Sequence, residues 1–254
     1  MFVDELEQHN ILLNKFSIVR EHILVTTKEF ESQYNPLNAS DWSAAWKCLT
    51  APGVRPYVGF YNCGGKSGAS VPHKHMQLLP RSLEDQDPFP PVGAALKYFV
   101  GKTDVGTPFS AQHLPFVHGF AFLPPSPPSD PGFILAQIFR KVLTHAFKSA
   151  QLDPSLCLNP PESVQTSTTL SSSTVAVEST EPPSYNVIFT KEWMMVVPRR
   201  KESVDRISIN SVGFAGCLLA KSEENVELLR RKGCLNILVE LGYPTKFGTP
   251  YAVV

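Results

Sequence analysis

Gly64-Gly65-Lys66-Ser67-Gly68-Ala69-Ser70-Val71-Pro72-His73-Lys74-His75-Met76-Gln77 runs a small-residue loop directly into two histidines and a glutamine at alternate positions. A spacing of two is the period of a β-strand, so a strand over residues 73–77 projects both imidazoles and the amide from one face. The apolar Met76, Leu78 and Leu79 beside them supply buried neighbours. Upstream, the glycines let backbone N–H groups close on an anion, while Lys66 adds charge and Ser67 and Ser70 add hydroxyl donors. The order of parts is that of a phosphate site lying between loop and histidines.

An unperturbed imidazole has a pKa near about 6.5, so at neutral pH one ring nitrogen can attack phosphorus while the other donates its proton to a fixed acceptor. On the residues alone, His73 or His75 is the candidate nucleophile. Two other readings stand beside it: a zinc pair, and histidines that only satisfy a core. Zinc has no third ligand nearby, Gln77 being a poor one, and the chain contains no Cys-x-x-Cys, so no metal site is assigned. Gly65-Lys66-Ser67 also imitates the end of a P-loop. That match fails because position 60 is Phe where the motif needs glycine, and Val71-Pro72 breaks the helix that would receive the phosphate.

The chain has 254 residues, 43% of them hydrophobic, enough for a sizeable core. Basic and acidic residues number 23 each, so no overall field recruits nucleic acid or a membrane surface. No apolar run approaches the roughly 20 residues that span a bilayer. Cysteines 48, 63, 157, 217 and 234 are odd in number and irregularly spaced, and no leader pattern begins the chain. Reduced thiols in cytosol or nucleus, rather than a secreted protein, are expected. Asn38-Ala39-Ser40 matches a glycosylation sequon by chance on this reading.

Around the loop, residues 10–28 alternate as a hairpin, with Arg20-Glu21-His22 as its turn. Asn38 to Leu49 reads as an amphipathic helix with Trp42, Ala45, Trp46 and Leu49 on its core face. Arg55 to Asn62 is a strand leading into the loop, and Phe133 to Ala150 is the clearest helix. Dense prolines between Arg81 and Pro131 argue for irregular connections with short elements, including a rigid turn at 124–128. Residues 153–184 are rich in Ser, Thr and Pro and lack aromatics, the composition of a disordered insertion. Beyond it, 185–190 and 193–198 form a hairpin turning at Lys191-Glu192, and Val226 to Leu241 is a helix interrupted at Gly233. Arg199-Arg200-Lys201 reads as a solvated basic turn, with phosphate contact as the alternative.

Several of these segments resemble the ATP adenylyltransferase family, also called diadenosine tetraphosphate phosphorylases. They are Asn14-Lys15-Phe16, Thr27-Lys28-Glu29-Phe30, residues 61–70, His73-Lys74-His75-Met76-Gln77, residues 190–199 and Gly213-Phe214-Ala215-Gly216. The resemblance covers about residues 10–80 and 185–244 and places the chain in the histidine-triad superfamily. It implies an α+β fold, an antiparallel sheet flanked by helices. Residues 1–152 would form the nucleotide-binding catalytic part, 153–184 an insertion, and 185–254 a C-terminal part packed on the same domain.

The activity implied is reversible phosphorolysis of diadenosine tetraphosphate to ADP and ATP through a covalent adenylyl-histidine. Carried over to this chain, the pattern makes His75 the nucleophile and His73 an aid to positioning and proton handling, while Gln77 holds a non-bridging phosphate oxygen. Asn62, Gly65, Ser67 and Ser70 are the phosphate-loop candidates, and Lys191 is a phosphate ligand from the second half. Glutamine can hydrogen-bond but cannot shuttle a proton, so the intermediate is expected to wait for phosphate rather than hydrolyse. Partners are then the dinucleoside polyphosphate, ATP, ADP and inorganic phosphate. No tightly bound cofactor is expected beyond Mg²⁺ accompanying the nucleotide. Thirteen residues precede Asn14, fewer than is usual in the family, where this arm helps bind nucleotide. A short isoform, a fragment or a weakened variant is one expectation, and a non-catalytic nucleotide-binding protein is its extreme form. A nucleotide-sugar phosphorylase or uridylyltransferase shares the same covalent logic and is the enzyme alternative.

Overall fold

The computed structural model describes residues 2–81, 90–126, 129–160 and 181–246. Its centre is an eight-stranded sheet in the order β1-β2-β3-β5-β4-β7-β8-β6, antiparallel at every pairing. The strands are β1 Phe2–Glu5, β2 His9–Leu13, β3 Ile23–Thr27, β4 Tyr57–Cys63, β5 His75–Pro80, β6 Gly119–Phe122, β7 Ser184–Phe189 and β8 Trp193–Arg199. The β4–β7 pairing joins the two halves of the chain into one sheet, with Asn62 opposite Asn186. Fold class is therefore α+β, with a large antiparallel sheet flanked by helices.

Two apolar layers cover the sheet because successive strand residues point to opposite faces. Val25, Met76, Leu78, Val187 and Val196 face helices α1 Ala39–Thr50 and α3 Pro131–Ser149. Phe60, Leu79, Ile188, Met195 and Val197 face the other layer, built from α2 Val92–Leu96 and the short helices Ser211–Phe214 and Cys234–Leu241.

Helix α1 starts where its capping box dictates. Asn38 Oδ1 accepts the Asp41 N–H at 3.0 Å, and Asp41 Oδ2 accepts the Asn38 N–H at 2.8 Å. Trp42 is buried as its periodicity requires, with its ring 5.6 Å from Phe139 and 5.0 Å from Phe189. Helix α3 is capped by Asp130, with Pro131 at the position where a missing N–H does no harm. A Cβ at Gly132 would lie 2.3 Å from the Ala39 carbonyl, so glycine allows the two helix starts to touch.

Several sequence expectations need adjustment. The hairpin exists, but its connection spans 14–22 rather than three residues, and β1 adds an edge strand outside it. The proline-dense region contributes β6 at the opposite edge. The Ser/Thr/Pro-rich segment is folded at its ends: α4 Ser155–Leu158 buries Cys157, whose Sγ donates to Pro183 O at 2.9 Å, and β7 begins at Ser184. Two apolar anchors there were masked by the polar average. The remainder of that segment, 161–180, lies outside the described residues, as do residues 127 and 128 of the proline turn. The last helix divides into Glu223–Lys232 and Cys234–Leu241 at Gly233, whose φ of 79° favours glycine.

Candidate active site

The site forms where β3, β5 and β4 lie side by side, on the face away from α1 and α3. Leu24 pairs with Gln77 and Thr26 with His75, while Phe60 pairs with Gln77 from the other side. The β4–β5 ladder ends at Phe60↔Gln77, and the side chain of Gln33 takes over beyond it. Its Oε1 accepts the His75 N–H at 2.8 Å, and its Nε2 donates to Asn62 O at 2.7 Å and to His75 O at 3.3 Å. Gln33 is fully buried and fixes the backbone of His75. Nothing local marks it, because its partners are decided by strand pairing.

The ring of His75 is oriented from both ends. Nδ1 lies 2.9 Å from the His73 carbonyl, which can only accept, so Nδ1 carries the proton and Nε2 keeps its lone pair. Nε2 faces the amide Nε2 of Gln77 at 3.4 Å. Gln77 Oε1 accepts from His22 Nε2 at 2.9 Å, and His22 Nδ1 accepts from Asn14 Nδ2 at 3.2 Å. The chain Asn14 → His22 → Gln77 → His75 → His73 carbonyl therefore has one consistent direction of donation. It presents an amide N–H, not an amide oxygen, beside the free imidazole nitrogen. Burial lowers the pKa of His75, opposed by its bond to the His73 carbonyl and aided by the nearby His73 ring. Burial likewise lowers His22, against the bond to Gln77. Both rings are neutral at pH 7, the state a nitrogen nucleophile needs.

His73 does not join this row as the period-two pattern predicts. The strand starts at His75, and His73 forms only an isolated bridge to Ser32. Its Nε2 donates to Thr27 Oγ1 at 2.9 Å and to Glu29 O at 3.2 Å, with the Phe30 ring 5.5 Å away. What His73 gives His75 directly is its carbonyl.

The glycine loop also departs from expectation. A Cβ at Gly65 would come within 2.8 Å of the Tyr34 hydroxyl. The N–H groups of residues 64–67 are already taken, by Gln33 O, the Tyr34 hydroxyl, Ser184 Oγ and Gly64 O respectively. Ser67, expected to face phosphate, is buried and turned inward, with its hydroxyl on Gly64 O at 2.5 Å. Among the described residues no acceptor meets the N–H groups of Gly68, Ala69 and Ser70, and Ser70 is exposed. The donors open to an anion therefore lie later in the loop than the glycine count suggests.

Asn62 is buried, with its Oδ1 receiving Asn186 Nδ2 at 2.9 Å, Ser211 N at 3.0 Å and Ser211 Oγ at 2.6 Å. Arg199, expected in a solvated turn, is instead 1% exposed. It donates to the carbonyls of Ser67, Ile209, Lys201 and Glu202 and to Asn186 Oδ1, and burial lowers its pKa to about 9. The guanidinium staples the loop to the second half of the chain.

Lys191 is set apart from His75. It lies at the β7–β8 turn beside Tyr57, Arg81 and Glu192. That is the Pro80 end of β5, five residues from His75 and about 17 Å along the strand. Among the described residues no group of three or more His, Cys, Asp or Glu could hold a metal ion.

Comparison with known proteins places this geometry. Residues 1–98 match the Ap4A phosphorylase N-terminal domain, and residues 112–244 match the ATP adenylyltransferase C-terminal domain. Protein APA1 of Saccharomyces cerevisiae is 30% identical over 253 residues, spanning 94% of this chain and 70% of the relative. Diadenosine 5',5'''-P1,P4-tetraphosphate phosphorylase 2 of the same yeast is 30% identical over 254 residues, spanning 95% and 71%. Yeast Ap4A phosphorylase Apa2 in complex with AMP superposes with a TM-score of 0.70 at 28% identity, covering 95% of this chain and 75% of that one. Its complex with Ap4A gives 0.68 at 26% identity, covering 93% and 74%. Sequence over nearly the whole chain and fold agree: the chain belongs to the Ap4A phosphorylase and ATP adenylyltransferase family.

Proposed function

We propose that this protein phosphorolyses diadenosine tetraphosphate, reversibly, to ADP and ATP, with His75 as the nucleophile. The observation that carries the reading is the locked tautomer of His75: Nδ1–H on the His73 carbonyl at 2.9 Å and Nε2 bare beside the Gln77 amide. Nε2 forms a bond to the phosphorus of one adenylyl group, and the P–O bond to the remaining chain breaks, releasing ATP. The imidazole becomes cationic as it bonds, and its Nδ1–H remains on a carbonyl dipole that favours positive charge. An oxygen of inorganic phosphate then attacks the same phosphorus, the N–P bond breaks, and ADP leaves with His75 neutral again.

The contact between Gln77 Nε2 and His75 Nε2 is long at 3.4 Å, as such bonds often are before substrate binds. In the complex the amide N–H moves onto a non-bridging oxygen, its orientation held by His22 on Oε1. With glutamine rather than a titrating group there, phosphate is the acceptor that discharges the intermediate. The N–H groups of 68–70 and the Ser70 hydroxyl meet the polyphosphate, and Mg²⁺ arrives with it. Action in cytosol or nucleus belongs to the same reading, in keeping with five irregularly spaced cysteines.

Intact-mass spectrometry tests the reading. Wild type mixed with diadenosine tetraphosphate gains one adenylyl group, loses it as ADP when phosphate is added, and His75→Ala gains nothing. Nucleotide binding without any adduct or ADP overturns it in favour of a binding protein, and turnover of a nucleoside diphosphate hexose alone favours the sugar-nucleotide alternative.

A further inference from the structure

The helix-covered side of the histidine strand carries a cluster that this chemistry does not use. Lys74 is 2% exposed, with Nζ 2.6 Å from Asp41 Oδ2 and 2.9 Å from Glu31 Oε2. Asp41, equally buried, also accepts from His9 Nε2 at 2.8 Å. The same face of the strand continues with Met76 and Leu78, both in the apolar core. Removing an ammonium and a carboxylate from water costs several kcal/mol per ion, and well-packed apolar side chains often do as well. Charge at position 74 therefore calls for a reason other than burial.

The backbone supplies one. β5 begins at His75, so the peptide linking His73 and Lys74 lies beyond the regular ladder. Its N–H donates to Glu31 O at 2.8 Å. Because a trans peptide is planar, the His73 carbonyl points the opposite way, where it meets His75 Nδ1 at 2.9 Å. Glu31 is gripped twice by Lys74, through its carbonyl by the N–H and through its carboxylate by Nζ. Asp41 ties the same Nζ to the start of α1.

We infer that Lys74 is a positioning residue: its buried ion pairs hold the His73–Lys74 peptide, and through the His73 carbonyl they fix the tautomer and aim of the His75 imidazole. The inference rests on His75 being the nucleophile, but its first readout does not require substrate. The variants are Lys74→Met, the double variant Lys74→Met/Asp41→Asn, which removes both buried charges together, and Glu31→Gln, in which the altered side chain is partly exposed and folding is safe. Imidazole ¹⁵N shifts of His75 in the free, histidine-labelled protein report the tautomer, with His75→Ala assigning the signal.

Wild type shows protonated Nδ1 and bare Nε2, whereas the Lys74 variants show the averaged shifts of mixed tautomers, with Glu31→Gln between them. Adenylylation kcat falls on the order of 10-fold in the Lys74 variants, while KM for diadenosine tetraphosphate stays within about 2-fold. Wild-type tautomer and kcat in the double variant, with only the melting temperature changed, overturn the inference and leave a structural ion cluster. If neither Lys74 variant folds, Glu31→Gln decides by the same shifts. Failure of wild type to form an adduct would instead strike the functional reading, and the tautomer comparison would still stand.

Discussion

Two polar clusters lie on opposite sides of one strand and differ in how they end. On the open face, Asn14, His22, Gln77 and His75 form a neutral chain whose donors all run one way and leave a lone pair at His75 Nε2. On the helix-covered face, Lys74 pairs with both Asp41 and Glu31, and His9 hydrogen-bonds the same Asp41, so the cluster closes on itself. A network that ends on a loosely held lone pair can do chemistry, whereas one built on buried ion pairs holds geometry. The comparison assigns the bond-making step to the first and the aim of the His75 ring to the second.

The most severe way to break it is His75→Ala, which is expected to lower phosphorolysis by at least ~10⁴-fold with nucleotide affinity within about 3-fold, read by single-turnover kinetics and calorimetry. Retained adduct formation would move the nucleophile elsewhere. His22→Phe follows: without its donor the Gln77 amide can flip, and kcat should fall on the order of 30-fold at nearly unchanged stability. An unaltered rate in that variant would remove His22 from the chain of donors. On the other face, His9→Ala opens a cavity and leaves Asp41 Oδ1 unpaired. Urea unfolding should show a loss of about 3 kcal/mol, with the rate per folded molecule within about 2-fold.

pH sharpens the same contrast. Attack needs neutral His75, and burial holds its pKa below 6.5, so protonation sets in only at lower pH. The rate of adenylylation is expected to stay level as pH falls from 8 to about 6.5 and to drop only below that. An acid limb centred above 6.5 would contradict the burial argument. The smallest effect belongs to Lys191→Ala, predicted to change kcat/KM by less than about 2-fold, since it lies at the turn beside Tyr57, whose row with Pro80 is about 17 Å along β5 from His75. A large loss there would show that the β7–β8 turn approaches substrate after all.

The chain's own letters determined what is local. Glycines that permit a sharp loop, alternation across Met76 and Leu78, the helix start at Asn38 and the break at Gly233 all act over a few residues, and each lies where its chemistry predicts. The family is legible for the same reason, since its motifs are short and ordered along the chain. What the letters could not decide is which distant groups meet. His22 and Gln33 reach the site from 55 and 42 residues away, and Arg199 reaches the loop across 132. Alternation placed His73 beside His75, but where the strand begins turned its ring toward Thr27. Family resemblance, not spacing, made Lys191 a phosphate ligand, and the β7–β8 turn sets it beside Tyr57 and Arg81, at the far end of β5. Hydrogen-bond direction, and with it the tautomer of His75, exists only once the sheet has aligned its partners, because a proton's position depends on the acceptor it faces.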